Sequence, residues 1–408
     1  MIDNYITQIR THFPALHQQV YGKPLVYLDN AATAQKPQSV LSLLSEMEGK
    51  TNGNIHRAVH YLSTRCTELY ENARLSVCRF IGAKHGHEVI FTSGATAAIN
   101  MVAFSFGEAF VKQGDVIVVG EAEHHSNVVP WQLLCGRKGA TLRVLPIDEE
   151  GKLQLELLPE LLDEQVRLVA VSHIGNVLGV INPVKEIVRM AHEKGIPVLI
   201  DGAQGIVHER VDVQELDCDF YLFSGHKLYG PTGSGILYGK ERWLDEMPPW
   251  QGGGDMIASV SFNGTTYAPL PLKFEAGTPN FIAQAGLGAA IEYLESLDRS
   301  ILEAHAQQIV QTGMELLQQI EGLRIYGVGA RNKIPLFSFS VKGVHATDMA
   351  TLLDKMGFAV RSGQLCAEPL LAKFGQTSIL RASFALYNTQ NELWGFVEAL
   401  RKTIAMLR

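Results

Sequence analysis

Apolar and polar positions follow two different rhythms along this chain. Between about residues 85 and 240, short runs that are apolar at nearly every position alternate with stretches whose apolar residues recur at helical spacing. The runs are EVIFTS (88–93), DVIVVG (115–120), LRVLPI (142–147), RLVAVSHI (167–174), IPVLID (196–201), CDFYLFS (218–224) and GILYG (235–239). Helical stretches such as Ala95–Val111 and Val184–Lys194 lie between them. Strands that are apolar on both faces and separated by helices predict a largely parallel sheet covered on both sides.

Beyond about residue 280 the rhythm changes. A long helical region spans roughly 282–320, with SILE (300–303) as a capping-box start. Strand-like PLFSFSV (335–341), FAVRS (358–362) and ILRASFALY (379–387) follow. Thr389 and Glu392 form a second capping box, opening a helix with Leu393, Phe396, Val397, Leu400, Ile404 and Leu407 on one face. The reading is an α/β protein with a large domain over 23–280, a smaller α+β domain over 281–408 carrying a cysteine loop, and an N-terminal segment, 1–22, packing with the small domain. The glycine run at 252–254 and the stretch up to Pro271 read as an irregular surface excursion.

Composition narrows the function classes. With 46% hydrophobic and 19% charged residues the 408-residue chain is globular. A formal net charge of -7 and the lack of a dominant basic stretch argue against nucleic acid. The N-terminus MIDNYITQIR has no apolar signal core, and the longest uncharged run, Leu168–Val184, holds Ser172, His173, Asn176, Asn182 and Pro183. Neither suits a membrane span. Five scattered cysteines (66, 78, 135, 218, 366) make no CxxC pair, so no zinc site or disulfide framework is expected and a reducing cytoplasm is the default.

Ligands of parallel α/β sheets sit beyond the carboxyl ends of the strands. Each strand delivers something there. The first leads to Gly94-Ala95-Thr96 and a helix N-terminus, suited to phosphate but also an ordinary cap. The next leads to Glu123-His124-His125, a ring platform or plain surface histidines. The others end in Gly175-Asn176, in Asp201 and in Ser224-Gly225-His226-Lys227. Singly each is ambiguous. Together they offer a hydroxyl at a helix terminus, an imidazole, an amide, a carboxylate and an amine at one sheet edge. Pyridoxal phosphate needs that inventory: a lysine for its aldehyde, a carboxylate for its ring nitrogen, donors for its phosphate and a flat partner for its ring. No GxGxxG follows the first strand and no GxxxxGK[ST] occurs.

Two further residues stand apart. Cys366, in FAVRSGQLCAEP, falls on a loop; it is either a buried structural cysteine, the usual case, or, near Arg361 and Arg381, a nucleophile, because guanidinium charge favours the thiolate. Arg381 lies within a largely apolar strand and needs an anion, either an internal carboxylate or that of a substrate.

Eight blocks carry a resemblance: YLDNAATAQKP (27–37), GNIHR (53–57), EHHSNVVPWQ (123–132), DGAQ (201–204), SGHKLYGPTG (224–233), FEAGTPN (274–280), RSGQLCAEPL (361–370) and RASFALYNT (381–389). In them the chain resembles, nearly end to end, the Suf-type (group II) cysteine desulfurases, also called cysteine desulfurase/selenocysteine lyases. These are class-V members of the fold-type I pyridoxal phosphate-dependent transferases. The resemblance implies a mixed, mostly parallel seven-stranded sheet sandwiched by helices, and a homodimer. It implies a Schiff base of the cofactor on Lys227, Asp201 at the ring nitrogen, His124 on the ring and Gln204 at the ring oxygen. Ala95, Thr96, Ser224 and His226 would hold the phosphate, with Thr278 reaching the site of the other subunit. Arg381, Asn176, Arg361 and His56 would bind the substrate, and Cys366 would accept its sulfur. The implied reaction turns L-cysteine into L-alanine, leaves a persulfide, and passes sulfur to a SufE-like acceptor for iron–sulfur assembly. Selenocysteine lyase activity is a second reading, a plain aminotransferase a third, and a scaffold without cofactor a rival of another class. The chain departs from the pattern at Ala95, Ala97, Gly175 and Leu365, the last beside Cys366.

Overall fold

A computed structural model describes residues 2–327 and 332–408. The seven apolar runs become the seven strands of one sheet: β1 (Val89–Thr92), β2 (Val116–Gly120), β3 (Thr141–Leu145), β4 (Val166–Ser172), β5 (Val198–Asp201), β6 (Phe220–Ser224) and β7 (Gly235–Gly239). Their spatial order is β1-β7-β6-β5-β4-β2-β3. Only β7 runs against its neighbours β1 and β6; the others pair in parallel.

Alternation of side chains across a strand explains why the runs are apolar throughout. Ile90, Ile117, Val119, Leu168, Leu199, Leu222 and Leu237 point to one face, where α3 (Ala95–Phe110) and α4 (Val129–Lys138) cover them. Phe91, Val118, Val169, Val171, Ile200, Phe223 and Ile236 point to the other, under α2 (Tyr61–Phe80), α5 (Val184–His192) and α6 (Phe281–Glu295).

The long helical region after 280 is two helices, α6 and α7 (Arg299–Gln318). Its second start is capped by Asp298, whose carboxylate accepts from the N–H groups of Ser300 and Ile301, not by Ser300. An aspartate two residues before the expected cap outcompetes the serine because its charged oxygen also favours the helix N-terminus. The core changes partner there as well: α6 buries Ala285, Leu287 and Ile291 under the large sheet, whereas α7 buries Ile309, Val310 and Leu317 in the second core. That second core lies beneath a four-stranded antiparallel sheet, β8 (Leu323–Tyr326), β9 (Leu336–Val341), β10 (Arg361–Gly363) and β11 (Ile379–Ser383), in the order β8-β9-β11-β10. α8 (Ala346–Lys355) and α10 (Gln390–Leu407) complete it, and the Thr389/Glu392 capping box opens α10. A short helix, α9 (Glu368–Lys373), follows the cysteine loop.

The N-terminal helix α1 (Ile2–Arg10) buries Ile6 and Ile9 with Phe13, Tyr229 and Tyr387, and Arg10 pairs with Glu392 at 2.9 Å. The chain then adds Val26–Tyr27 in parallel beside Phe358–Ala359. The excursion after Gly254 is not irregular: Ile257–Ser261 and Gly264–Tyr267 form a hairpin, solvent-exposed along most of its length, with Phe262 at its turn. No buried face imposes a period of two on it, so its sequence carries no strand signal.

One buried ion pair fixes the edge of the large sheet. Arg74 of α2 donates to Glu275 at 2.7 and 2.9 Å. The same carboxylate accepts from the Phe91 N–H at 2.7 Å and from the Tyr70 hydroxyl at 2.9 Å. Removing one partner of such a pair strands a charge in the core. Glu275→Ala should therefore lower unfolding stability by about 3–5 kcal/mol, read as a lower urea midpoint; an unchanged midpoint would contradict this role.

Candidate active site

The carboxyl ends of β4 and β5 finish level, Ser172 beside Asp201, and β6 runs two residues further, from Leu222 beside Asp201 to Ser224. Beyond them opens a cavity of about 390 Å³, walled by the large domain on one side and by the cysteine loop and two arginines on the other. Lys227, Asp201, Gln204, His124, Ala95, Thr96, Ser224, His226, Asn176, Arg361, Arg381 and Cys366 all line it. Thr278 and His56 do not. Thr278 lies exposed on the stretch between Glu275 and α6, and His56 pairs with Glu71 at 3.0 Å in a separate surface depression.

The helix terminus is built for close approach. Gly94, at φ +148°, turns the chain from β1 into α3 without supplying a capping side chain. A Cβ on Gly235 would stand 2.4 Å from the Cα of Gly94, so Gly235 must be glycine for β7 to pass, while Gly94 needs glycine for its own φ. The Ser224 hydroxyl accepts from the Ala95 N–H at 2.8 Å, and the Thr96 and Ser126 hydroxyls share a hydrogen bond of 2.7 Å. The rest of the first turn faces the cavity without a side-chain cap, which suits an anion. Beside it the His226 ring, half-buried, keeps an unpartnered Nδ1. Burial, with the charge of Lys227, pushes that imidazole down to about 4.

Asp201 is 6% exposed, and among the described residues its carboxylate accepts only the Ala203 N–H, at 2.9 Å. Burial raises its carboxyl above the usual range, with the Ala203 N–H and Lys227 pulling the other way. Burial also pushes the Lys227 amine down to about 8, although Asp201 opposes the shift. A carboxylate this deep calls for a cation in front of it. His124 stays neutral, its ring pushed down to about 4 by burial and by Lys227. Its Nδ1 accepts the Ser126 N–H at 3.0 Å. Behind it Glu123 is held by Asn127 at 2.7 Å and by the Ser172 N–H at 2.9 Å. Gln204 donates to the Ala31 carbonyl at 2.8 Å.

The opposite wall carries charge that the sequence left open. Arg361 and Arg381 face each other across β10 and β11, an arrangement of like charges that needs an anion between them. Asp29 supplies it. Its carboxylate accepts from Arg361 at 2.7–3.0 Å and from Arg381 at 3.3 Å. Arg381, 3% exposed, also donates to the Asn176 carbonyl at 2.9 Å, while its Nε has no partner among the described residues. Asp29 lies in the LDNAAT stretch, where only a search for a counter-charge to Arg381 could have singled it out. The unpaired Nε and the unpartnered Oδ1 of Asn176 leave donor and acceptor capacity free for a ligand.

Cys366 is exposed at the cavity mouth. Leu365 and Cys366 both hold φ +55°, a conformation costing about 1–3 kcal/mol at each non-glycine residue. Leu365 and Ala367 are buried on either side, so the strain is matched by packing that leaves only Cys366 turned out.

Comparison with known proteins identifies the group. The aminotransferase class-V model matches residues 26–396. The chain belongs to the class-V aminotransferase family. Within it, the chain is 47% identical over 403 residues to a protein of Escherichia coli O8 named cysteine desulfurase, covering 98% of this chain and 99% of that one. Among solved structures it is similar to the cysteine desulfurase CsdA of Escherichia coli in its S-sulfonic acid form, with a TM-score of 0.92 and 40% identity over 99% of both chains. It is also similar to the apo cysteine desulfurase of Thermococcus onnurineus NA1, with a TM-score of 0.91 and 36% identity over 97% of this chain and 98% of that one.

Enzymes of this family depend on pyridoxal phosphate, and the residues here fit it. An uncapped helix start with hydroxyls beside it suits the phosphate, the buried Asp201 suits a protonated ring nitrogen, and the amine of Lys227 stands within the same cavity. Among the described residues no cluster of three histidine, cysteine or acidic side chains could hold a metal. Only a neutral amine can combine with an aldehyde. The rate at which cofactor-free protein takes up pyridoxal phosphate should therefore climb with pH as Lys227 deprotonates near 8 and then level off. Asp201 raises that value, so Asp201→Asn should move the climb to lower pH. Bound-cofactor absorbance in rapid mixing reads both, and a rate flat between about pH 6 and 9 would contradict the shift.

Proposed function

We propose that this protein is a cysteine desulfurase whose sulfur acceptor is Cys366. The observation that carries the reading is that Cys366, Lys227 and Arg381 line one cavity, although the cysteine and the lysine come from opposite walls. A plain aminotransferase has no use for a cysteine held there.

Lys227 would hold the cofactor, Asp201 its ring nitrogen, His124 its ring face and Gln204 its ring oxygen. Ala95, Thr96, Ser224 and His226 would hold its phosphate. When bound, pyridoxal phosphate supplies an electron sink for charge developing at the substrate Cα. The remaining work falls to the chain. Arg381, with its free Nε, and Arg361 receive the substrate carboxylate, and the Oδ1 of Asn176 accepts from a donor on the substrate. Lys227, its amine pushed down to about 8, is neutral in a useful fraction and takes the Cα proton. The Cys366 sulfur attacks the sulfur of L-cysteine. An S–S bond forms, the Cβ–S bond breaks, and its electron pair stays with Cβ, which is protonated to give L-alanine. The balance is one thiol and one cysteine in, one persulfide and one alanine out.

The exposed position of Cys366 supports delivery of the persulfide sulfur to a SufE-like acceptor, and so to iron–sulfur assembly in the cytoplasm. Among the described residues no helix is long and apolar enough to cross a membrane. The exposed position of Thr278 outside the cavity supports a homodimer, in which it would serve the other subunit's site. The same cavity would admit L-selenocysteine.

The test is to incubate the cofactor-loaded protein with L-cysteine and a reductant and to measure alanine and sulfide. Cys366→Ala should abolish alanine formation from L-cysteine. Retained selenide release from L-selenocysteine by that variant would assign the lyase activity too. No alanine from the native protein would sink the proposal, and steady turnover with a 2-oxoacid that ignores Cys366→Ala would favour the aminotransferase.

A further inference from the structure

The neighbour of His124 turns away from the cofactor pocket and grips the cysteine loop at two points. The His125 backbone N–H donates to the carbonyl of Cys366 itself at 2.8 Å. The His125 ring Nε2 accepts the backbone N–H of Glu368 at 3.0 Å. Glu368 opens α9, whose own N-cap residue, Ala367, provides no side-chain cap. The imidazole therefore caps a helix from a distant part of the chain. A third bond, from the Asn176 amide to the Leu365 carbonyl at 2.8 Å, completes the grip from the other side. Within the loop, the one further backbone bond runs from Ala367 to Gln364, at 3.1 Å.

These bonds matter because the loop is not held by its own backbone preferences. Two consecutive non-glycine residues at φ +55° revert to ordinary geometry unless the surroundings determine them. The bonds from His125 flank Cys366, one on its carbonyl and one two residues later. The same residue is joined by one peptide bond to His124, which lines the cavity. His125 is thus a short link between the thiol and the cofactor pocket, with the Asn176 bond to Leu365 as a second hold on the opposite side of Cys366.

We infer that His125 is the positioning residue for sulfur transfer, holding Cys366 at the cavity mouth by capping α9 and binding the Cys366 carbonyl. The inference rests on the reading of Cys366 as sulfur acceptor. The ring acts as an acceptor at Nε2, so its proton sits on Nδ1 when the loop is held. A glutamine can present an amide oxygen in its place. A phenylalanine fills the space and cannot accept.

Two readouts on the cofactor-loaded protein test this: turnover of L-cysteine, and the rate at which iodoacetamide alkylates Cys366, followed by mass of the Cys366 peptide. His125→Phe should lower kcat by about 10- to 100-fold, the scale of a reacting group displaced by an ångström, with little change in KM. It should also speed alkylation several-fold as the loop comes free. His125→Gln should stay near native in both. If His125→Phe fails to take up cofactor, His125→Leu is read in its place. The inference is overturned by native kcat in the phenylalanine variant, by lost turnover with a native alkylation rate, or by a folded glutamine variant as impaired as the phenylalanine one. Should the native protein make no alanine, the alkylation rates alone still decide whether His125 holds the loop.

Discussion

Burying the carboxylate of Asp201 at the end of β5 costs free energy that a cation must offset, and much of the large domain is arranged around that demand. Lys227, delivered by the next strand, is the cation nearest to hand, yet burial weakens its own charge. Neither group is at ease alone. A cofactor with a protonated ring nitrogen and an aldehyde would relieve both, giving the acid a partner and the amine a covalent bond. The neighbouring ends of β4, β5 and β6, Gly235, which lets β7 pass the start of α3, and the wall formed by His124 are the scaffolding for that arrangement.

The opposite wall has a separate electrostatic problem with its own answer. Two arginines confront each other across neighbouring strands, and Asp29 neutralises part of their charge. Because Asp29 binds Arg361 through two nitrogens and Arg381 through one, the buried guanidinium retains a free donor. A fully paired arginine would be a structural strut. This one keeps capacity for a second anion.

The large sheet was legible because its strands are buried on both faces, which writes continuous apolar runs into the sequence. The candidate cavity was legible because its lining sits at the ends of those runs: Lys227, Asp201, His124 and Asn176 each lie at or just past a strand's carboxyl end, and all four line it. The residues that escaped had no local signature. Asp29 is one acid among many until its partners, more than three hundred residues away, are known. His125 looks like the spare half of a histidine pair. The hairpin after Gly254 lies exposed and so lacks the alternation that marks a strand. The cap of α7 stands two residues earlier than SILE suggests, because serine and aspartate signals overlap in LDRSILE and charge decides between them.

The stretch from Tyr27 to Ala34 touches nearly every part of the site. It meets Ala359 through backbone, Arg361 and Arg381 through Asp29, Gln204 through the Ala31 carbonyl, and the His226 carbonyl through Ala34. Its partners are spread from residue 204 to residue 388, and the farthest closures carry a high loop-closure cost. This gives the site an order in time. A chain emerging residue by residue has Lys227 and Asp201 long before it has Arg361, Cys366 or Arg381. Ala31 and Ala34 can meet Gln204 and His226 early, but Asp29 must wait for its arginines until the last strands arrive. On the proposed roles, the protein would gain the means to hold its cofactor first, and the means to remove sulfur only when the chain is almost finished.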